Sequence, residues 1–399
     1  MKKVAIIGGG PSALMLAAML DEKKYAVHIY EKNAAVGRKF LVAGDGGFNL
    51  THSESIDLFV ARYTPNNFLE EALRAFTNQN LCDWLKNIGI ETYTGSSKRI
   101  FPVKGIKPIE VLNAFLKKLT EKNVQIHTLH EWKGWNEKNQ IVFQNKKENI
   151  HVDADMIVFA LGGASWSVTG SDGTWLNLFQ KKGIDVVPFQ ASNCGYTIQW
   201  PDVFIEKQEG KWLKNISVVC GDKQKQGELV ITKSGIEGGA IYALSPEIRK
   251  QLSQKNVAEI AIDFKPTFSK EDLVQKLSAK SKKSVTEILG KEINLSDVQI
   301  TMLKVFLSKE DFIAVDKLAE YIKHFPLSIT GRVPIDEAIS TVGGIPLTEV
   351  DENFQLKKIP NQYVLGEMLD WDAPTGGYLL QGCFSMGAWV AGKVNGAHD

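Results

Sequence analysis

Val4-Ala5-Ile6-Ile7-Gly8-Gly9-Gly10-Pro11-Ser12-Ala13 is the stretch whose reading decides the fold. Val4 to Ile7 make a short buried strand, and the glycines turn the chain into an apolar run, Leu14 to Leu20, that reads as a helix. Gly8 allows the tight turn and Gly10 lets the backbone approach a pyrophosphate. Ala13 stands where a third small residue brings helix and strand together. The helix then offers unpaired N–H groups and the positive end of its dipole to phosphate. Ala26 to Tyr30 form a second strand ending at Glu31, about twenty residues past the glycines, where a ribose-binding carboxylate belongs. Strand, turn, helix, strand and acid in this order specify a nucleotide-diphosphate site. Lys2 and Lys3 ahead of an apolar run also fit a secretory signal, but the glycines and Pro11 interrupt that run.

The 399 residues suffice for two or three domains. Lys plus Arg (47) balance Asp plus Glu (46), so no net field favours nucleic acid or anionic lipid, and neither is expected as a partner. With 44% hydrophobic and 23% charged residues, and no apolar segment long enough to cross a bilayer, a cytoplasmic location is expected. Cys82, Cys194, Cys220 and Cys383 lie far apart and form no C-x-x-C pair, so neither a metal site nor a dithiol redox motif is expected.

Beyond Glu31 and Lys32 come Gly37-Arg38-Lys39 and the glycine-dense loop Gly44-Asp45-Gly46-Gly47-Phe48-Asn49. Such a backbone can lie close against a flat or phosphorylated ligand, with Arg38 and Lys39 available for phosphate charge. Residues 66–89 and 108–122 carry helical periodicity, and Val124–Thr128 and Ile141–Asn145 read as strands. Ala154 to Ala160 reads as a buried parallel strand ending in Leu161-Gly162-Gly163, a ligand-facing position at the carboxyl edge of an open sheet. Asp172 then opens another helix. Between 188 and 263 short alternating segments suggest an antiparallel sheet or barrel, and 269–325 is helical, with Ser269, Ser296 and Ser308 as caps.

The tail complements the front. Strand Gln362–Leu365 ends at Gly366-Glu367, and Thr375-Gly376-Gly377-Tyr378 opens a final helix. Glu367 can accept hydrogen bonds from a ribityl chain, and the N–H groups around Gly377 and Tyr378 can face the N1–C2=O edge of an isoalloxazine. NAD sites need no such second element, so FAD is the expected cofactor.

These ordered motifs, with Gly162–Gly173 and Ser340–Ile345, resemble the HI0933-like flavoprotein family, which includes aminoacetone-oxidase-type enzymes and bile-acid reductases. The resemblance implies an α/β architecture: a Rossmann-like (GR2-type) FAD-binding domain over 1–190 and 331–399, an inserted β-barrel domain over 191–265, and a small helical domain over 266–330. The chain departs from the family at Phe48, where an Arg-Cys pair usually precedes Asn49. It departs again at Thr232-Lys233-Ser234-Gly235-Ile236-Glu237-Gly238-Gly239, and at Leu379, where Asn is frequent.

The expected function is FAD-dependent oxidation or reduction of a small organic substrate by hydride transfer, with NAD(P)H as an optional transient donor. An amine or aminoketone oxidase using O₂ is one alternative, and a non-catalytic flavin-binding or redox-sensing protein another. A tRNA-modifying flavoprotein would want a basic surface. His52, Lys233, Asp372 and Tyr378 are the side chains expected near the ring that could handle a proton, and none is assigned as the base.

Overall fold

The computed structural model describes residues 1–42, 48–146, 148–278 and 283–396. Its contacts divide the chain into two units, Met1–Gln190 with Ser340–Asp399, and Ala191–Ile339.

The first unit is organised by a five-stranded parallel sheet. Its central strand β1 (Lys2–Ile7) lies between β2 (Tyr25–Glu31) and the strand Met156–Phe159. Gln125–Thr128 and Gln362–Val364 form the edges, so the first strand and one of the last share a sheet. Val4, Ala5 and Ile6 are wholly buried, as a parallel strand covered on both faces requires. Helix α1 (Pro11–Met19) is apolar all round because it too is covered on two sides. The final helix, Tyr378–Gly396, packs along it: a Cβ at Gly387 would lie 2.5 Å from the Ser12 carbonyl oxygen, so the helices meet backbone to backbone.

Two smaller sheets flank this core. An antiparallel meander, Glu131–Trp135, Ile141–Asn145 and Glu148–Val152, precedes the strand Met156–Phe159. A three-stranded sheet places Arg99–Pro102 between Thr51–His52 and Thr92–Thr94, with His52 directly opposite Arg99. The helical reading of 66–89 resolves into Glu70–Ala75 and Asn78–Asn87, separated where Thr77 caps the second helix through Asn80.

The second unit holds a seven-stranded antiparallel sheet, running from Phe325–Ile329 at one edge to Gly331–Arg332 at the other. Its helices bury Leu273, Leu289, Leu303 and Ile322 in the same hydrophobic cluster as Val218, Ile260 and Phe325 of the sheet. The segments read from sequence as 191–265 and 266–330 thus share one core. Gly331–Arg332 pairs with Tyr196–Thr197, so the chain returns to the first unit at Ser340 instead of at 331. The Ser269, Ser296 and Ser308 caps form. No helix among the described residues is long and apolar enough to cross a membrane.

Candidate functional site

An open cleft of about 340 Å³ lies along the carboxyl edge of the parallel sheet. Gly8–Ser12, Glu31–Asn33, Arg38 and Lys39 line it from the front of the chain, Ala160–Gly162 and Thr169–Asp172 from the middle, and Leu365–Glu367 with Cys383 from the tail. Gly8 has φ +100°, and a Cβ there would overlap the Ala160 carbonyl oxygen, so only glycine makes this turn. Gly10 differs: a Cβ would meet nothing nearer than that oxygen at 3.9 Å, and the space beside it belongs to the cleft. Gly10 N-caps α1 without a side-chain cap, and the N–H groups of Gly10, Ser12 and Ala13 have no partner among the described residues. Open space over a helix N-terminus with orphaned donors fits a diphosphate.

Glu31 stands where a ribose acid is expected, and its carboxylate is already engaged. Oε2 accepts from Gly9 N at 3.0 Å, and Oε1 from Asn33 N and Nδ2 at 2.8 Å each. About four acceptor directions exist on a carboxylate, so one remains for a hydroxyl. The cations of this region also have protein partners. Lys32 pairs with Asp172 at 2.7 Å, and Arg38 donates to Asn33 Oδ1 and the Val168 carbonyl. Lys39 donates to Ser165 Oγ and Glu367 Oε2. Burial alone would raise the Asp172 pKa, but hydrogen bonds from Lys32 and Thr174 outweigh it and hold the carboxyl below its ordinary value. Lys39 is thus tied to the tail rather than left for phosphate. Glu367 receives it on one oxygen and Thr341 N on the other at 3.0 Å. Leu161 N reaches Met368 Sδ, the Gly162 carbonyl accepts from Trp175 Nε1, and a side chain at Gly163 would run into Thr341.

The second constellation surrounds Tyr378. Its phenol donates to Glu54 Oε1 at 2.6 Å, and Arg62 holds Glu54 with Nε at 3.0 Å and Nη2 at 2.7 Å. His52 stacks on the Tyr378 ring at 5.3 Å, and Tyr63 donates to the Tyr378 carbonyl. Burial, then the Glu54 contact, raises the Tyr378 pKa, so the phenol stays protonated. Burial would raise Glu54 too, but Arg62 and Tyr378 hold it below its usual value and keep it a carboxylate. Burial lowers the His52 pKa, so that imidazole is neutral. Gly377 packs on Thr51, where a Cβ would come within 2.5 Å of the Thr51 Cα.

The remaining expected residues fall as follows. Asp372 is buried, its backbone bridged to Thr64. Asn49 is half-buried and has a partner, whereas Gly44 and Gly46 lie outside the described residues. Pro11 starts α1, Ala13 is fully buried beneath it, and Thr375 is partly exposed before Gly376. Lys233 is exposed on the turn between two strands of the second unit. Reading the sequence passed over Glu54, Arg62, Arg99 and Thr341. Thr341 stands inside the Ser340–Ile345 motif but was not singled out there, and Glu54, Arg62 and Arg99 stand in no motif.

The family model described as HI0933-like protein Rossmann domain matches residues 2–394. A ribosomal RNA dihydrouridine synthase of Haemophilus influenzae is 23% identical over 389 residues, covering 95% of both chains. A 3-dehydro-bile acid delta(4,6)-reductase of Clostridium scindens is 22% identical over 412 residues, covering 99% of both. Among solved structures, 3-ketosteroid-delta4-(5alpha)-dehydrogenase from Rhodococcus jostii RHA1 is similar in fold, with a TM-score of 0.52 at 14% identity over 100% of this chain and 97% of that one. The fold is that of FAD-dependent oxidoreductases, and the chain belongs to the HI0933-like protein family.

Proposed function

We propose that this chain is a FAD-dependent reductase of a carbon–carbon double bond conjugated to a carbonyl, in a small organic substrate. The observation that carries the cofactor is the cleft built jointly by Gly8–Ser12 and Leu365–Glu367, with open space over Gly10 and orphaned donors at the α1 N-terminus. The direction of the reaction rests on the relatives: a delta(4,6)-reductase of a 3-dehydro steroid and a dihydrouridine synthase both name saturation of a ring double bond next to a carbonyl.

When bound, FAD supplies the hydride. The chain's residues do the rest. The N–H groups of Gly10, Ser12 and Ala13 receive the diphosphate, Glu31 a ribose hydroxyl, and the Lys39–Glu367–Thr341 cluster fixes the tail against the front of the cleft. Tyr378, Glu54 and Arg62 hold a neutral phenol in one rotamer beside His52. Glu54 is held as a carboxylate and Tyr378 as a phenol, and the array's proton acceptors are engaged within it: Glu54 accepts from Tyr378 and from two nitrogens of Arg62, and His52 Nδ1 accepts from Glu54 N.

The purified chain should show a flavin absorbance spectrum. Anaerobic titration with NADH and NADPH, then with an enone, should bleach the flavin and restore it. Bleaching by an amine, with recovery only in air, would select the oxidase. A second reading, a uracil ring in ribosomal RNA, follows from the name of the Haemophilus relative. Loss of dihydrouridine from ribosomal RNA in a strain lacking the gene would select it over a small molecule.

A further inference from the structure

Arg99 is set apart from the chain's other arginines by a side chain with no hydrogen bond or ion pair among the described residues. Arg38 holds Asn33 and the Val168 carbonyl, Arg62 chelates Glu54, Arg74 pairs with Asp57 and Glu70, and Arg249 and Arg332 have partners as well. Arg99 is half-buried, a position where a guanidinium without an acid loses hydration and gains nothing in return.

Its surroundings point to an occupant. Arg99 lies directly opposite His52 in the three-stranded sheet, so both side chains stand on the same face. Tyr378 stacks on His52 from that face. Gly376 completes the arrangement: an atom at its missing Cβ would lie 3.5 Å from Arg99 Nε and 3.5 Å from Tyr378 Cε2, so the guanidinium and the phenol ring stand on either side of the position that glycine leaves without a side chain. One wall is an aromatic face and the other an unpaired fork of N–H donors. Thr51, buried beneath Gly377, adds a hydroxyl without a partner, and the neighbouring acid, Glu54, is consumed by Arg62 and Tyr378.

We propose that Arg99 binds the carbonyl oxygen of the conjugated substrate on the face it shares with His52 and Tyr378. The proposal rests on the reductase reading above and names the residue that polarises the acceptor. Hydride from reduced FAD forms the new C–H bond at the β-carbon and moves the π pair onto the carbonyl oxygen. A solvent proton at the α-carbon returns that pair to carbon and leaves the saturated ketone and oxidised FAD. Arg99 stabilises the oxygen while it carries the charge. A guanidinium suits this task because it stays charged at every working pH and donates in a plane.

The test uses the flavin-loaded chain and 4-nitrophenol, a flat phenol whose ionised form mimics the enolate and whose own absorbance reports ionisation. The wild type should bind the nitrophenolate. Arg99→Gln should weaken binding by about 10- to 100-fold, the worth of a hydrogen bond to a charged group, with Arg99→Lys in between. The Arg99 side chain has no partner among the described residues to orphan, so both variants should keep flavin content and thermal stability. Equal affinity in wild type and Arg99→Gln would overturn the proposal. Unchanged nitrophenol binding with a lowered flavin midpoint potential would overturn it too, assigning Arg99 to the cofactor. A chain that takes up no FAD fails the reductase reading instead, and is recognised before any phenol is added.

Discussion

The two ends of this site solve opposite problems. Along the cleft at Gly8–Ser12, the cations already have protein partners: Lys32 pairs with Asp172, Lys39 pairs with Glu367, and Arg38 donates to Asn33 and a carbonyl. What is left unsatisfied there is chiefly backbone, the N–H groups at the start of α1, with the buried Ser171 hydroxyl beside them. Around Tyr378 the backbone is packed, with Gly377 against Thr51, and what is left without a partner among the described residues is side chain, the Arg99 guanidinium and the Thr51 hydroxyl. The first end therefore suits a ligand group that every member of a nucleotide-binding fold shares. The second suits a group that varies, because a single side chain can be exchanged without rebuilding the fold.

Substitutions that probe backbone fit should have the largest effects, and equal ones at both ends. Gly8→Ala would overlap the Ala160 carbonyl at a positive φ, and Gly377→Ala would press on Thr51, also at a positive φ. Each should cost about 2–4 kcal/mol, read as a fall in Tm of roughly 5–10 °C. A silent Gly377→Ala would show that the tail is not packed as described.

Glu54→Gln comes next. It removes the carboxylate shared by Arg62 and Tyr378, and the loss should be about 1–3 kcal/mol, moderated by the partial exposure of Arg62. The pH dependence sharpens this. The folded pKa of Glu54 lies below its unfolded value of about 4.3, so the folded state binds fewer protons. Its contribution is complete above that unfolded value and is lost as pH falls through the folded one. Glu54→Gln should flatten the acid limb of the stability curve, measured by denaturant titration between pH 3 and pH 7, and leave it unchanged if the carboxylate is not paired.

Asp172→Asn should have the smallest effect on stability. Lys32 and Asp172 are each about 30% exposed (29% and 32%), and a pair so placed is worth about 0–1 kcal/mol. Faster release of FAD, followed by the return of flavin fluorescence, is the sharper expected outcome, because both residues line the cleft.

The difference between the ends also explains what could be read from the chain before its structure. Strand, glycine turn, helix and Glu31 are contiguous, and each requirement is local: a positive φ, a close backbone approach, an alternation of apolar residues. The same holds for Ala160–Gly163 and for Gly366-Glu367 at the ends of parallel strands. Arg38 and Lys39 line the cleft, but their protein partners were not legible, because Lys39 meets Glu367 across 328 positions. Tyr378 and Glu54 are 324 apart, and nothing near Glu54 announces the contact. Arg99 stands in a four-residue strand, and its meaning lies in what it does not touch. The shared core of the second unit was hidden for a similar reason: alternation and helical periodicity identify elements, not which of them pack together.

Gly10 tests the central claim, that both ends of the chain enclose one FAD, most directly, because among the described residues only the Ala160 carbonyl oxygen, at 3.9 Å, comes near its Cβ position. Titration of the flavin-free chain with FAD should give one site in the wild type. In Gly10→Ala the affinity should fall at least about 100-fold, while the Tm of the flavin-free chain changes little. FAD binding that survives Gly10→Ala undiminished would place the dinucleotide somewhere other than over the α1 N-terminus, and would contradict the account.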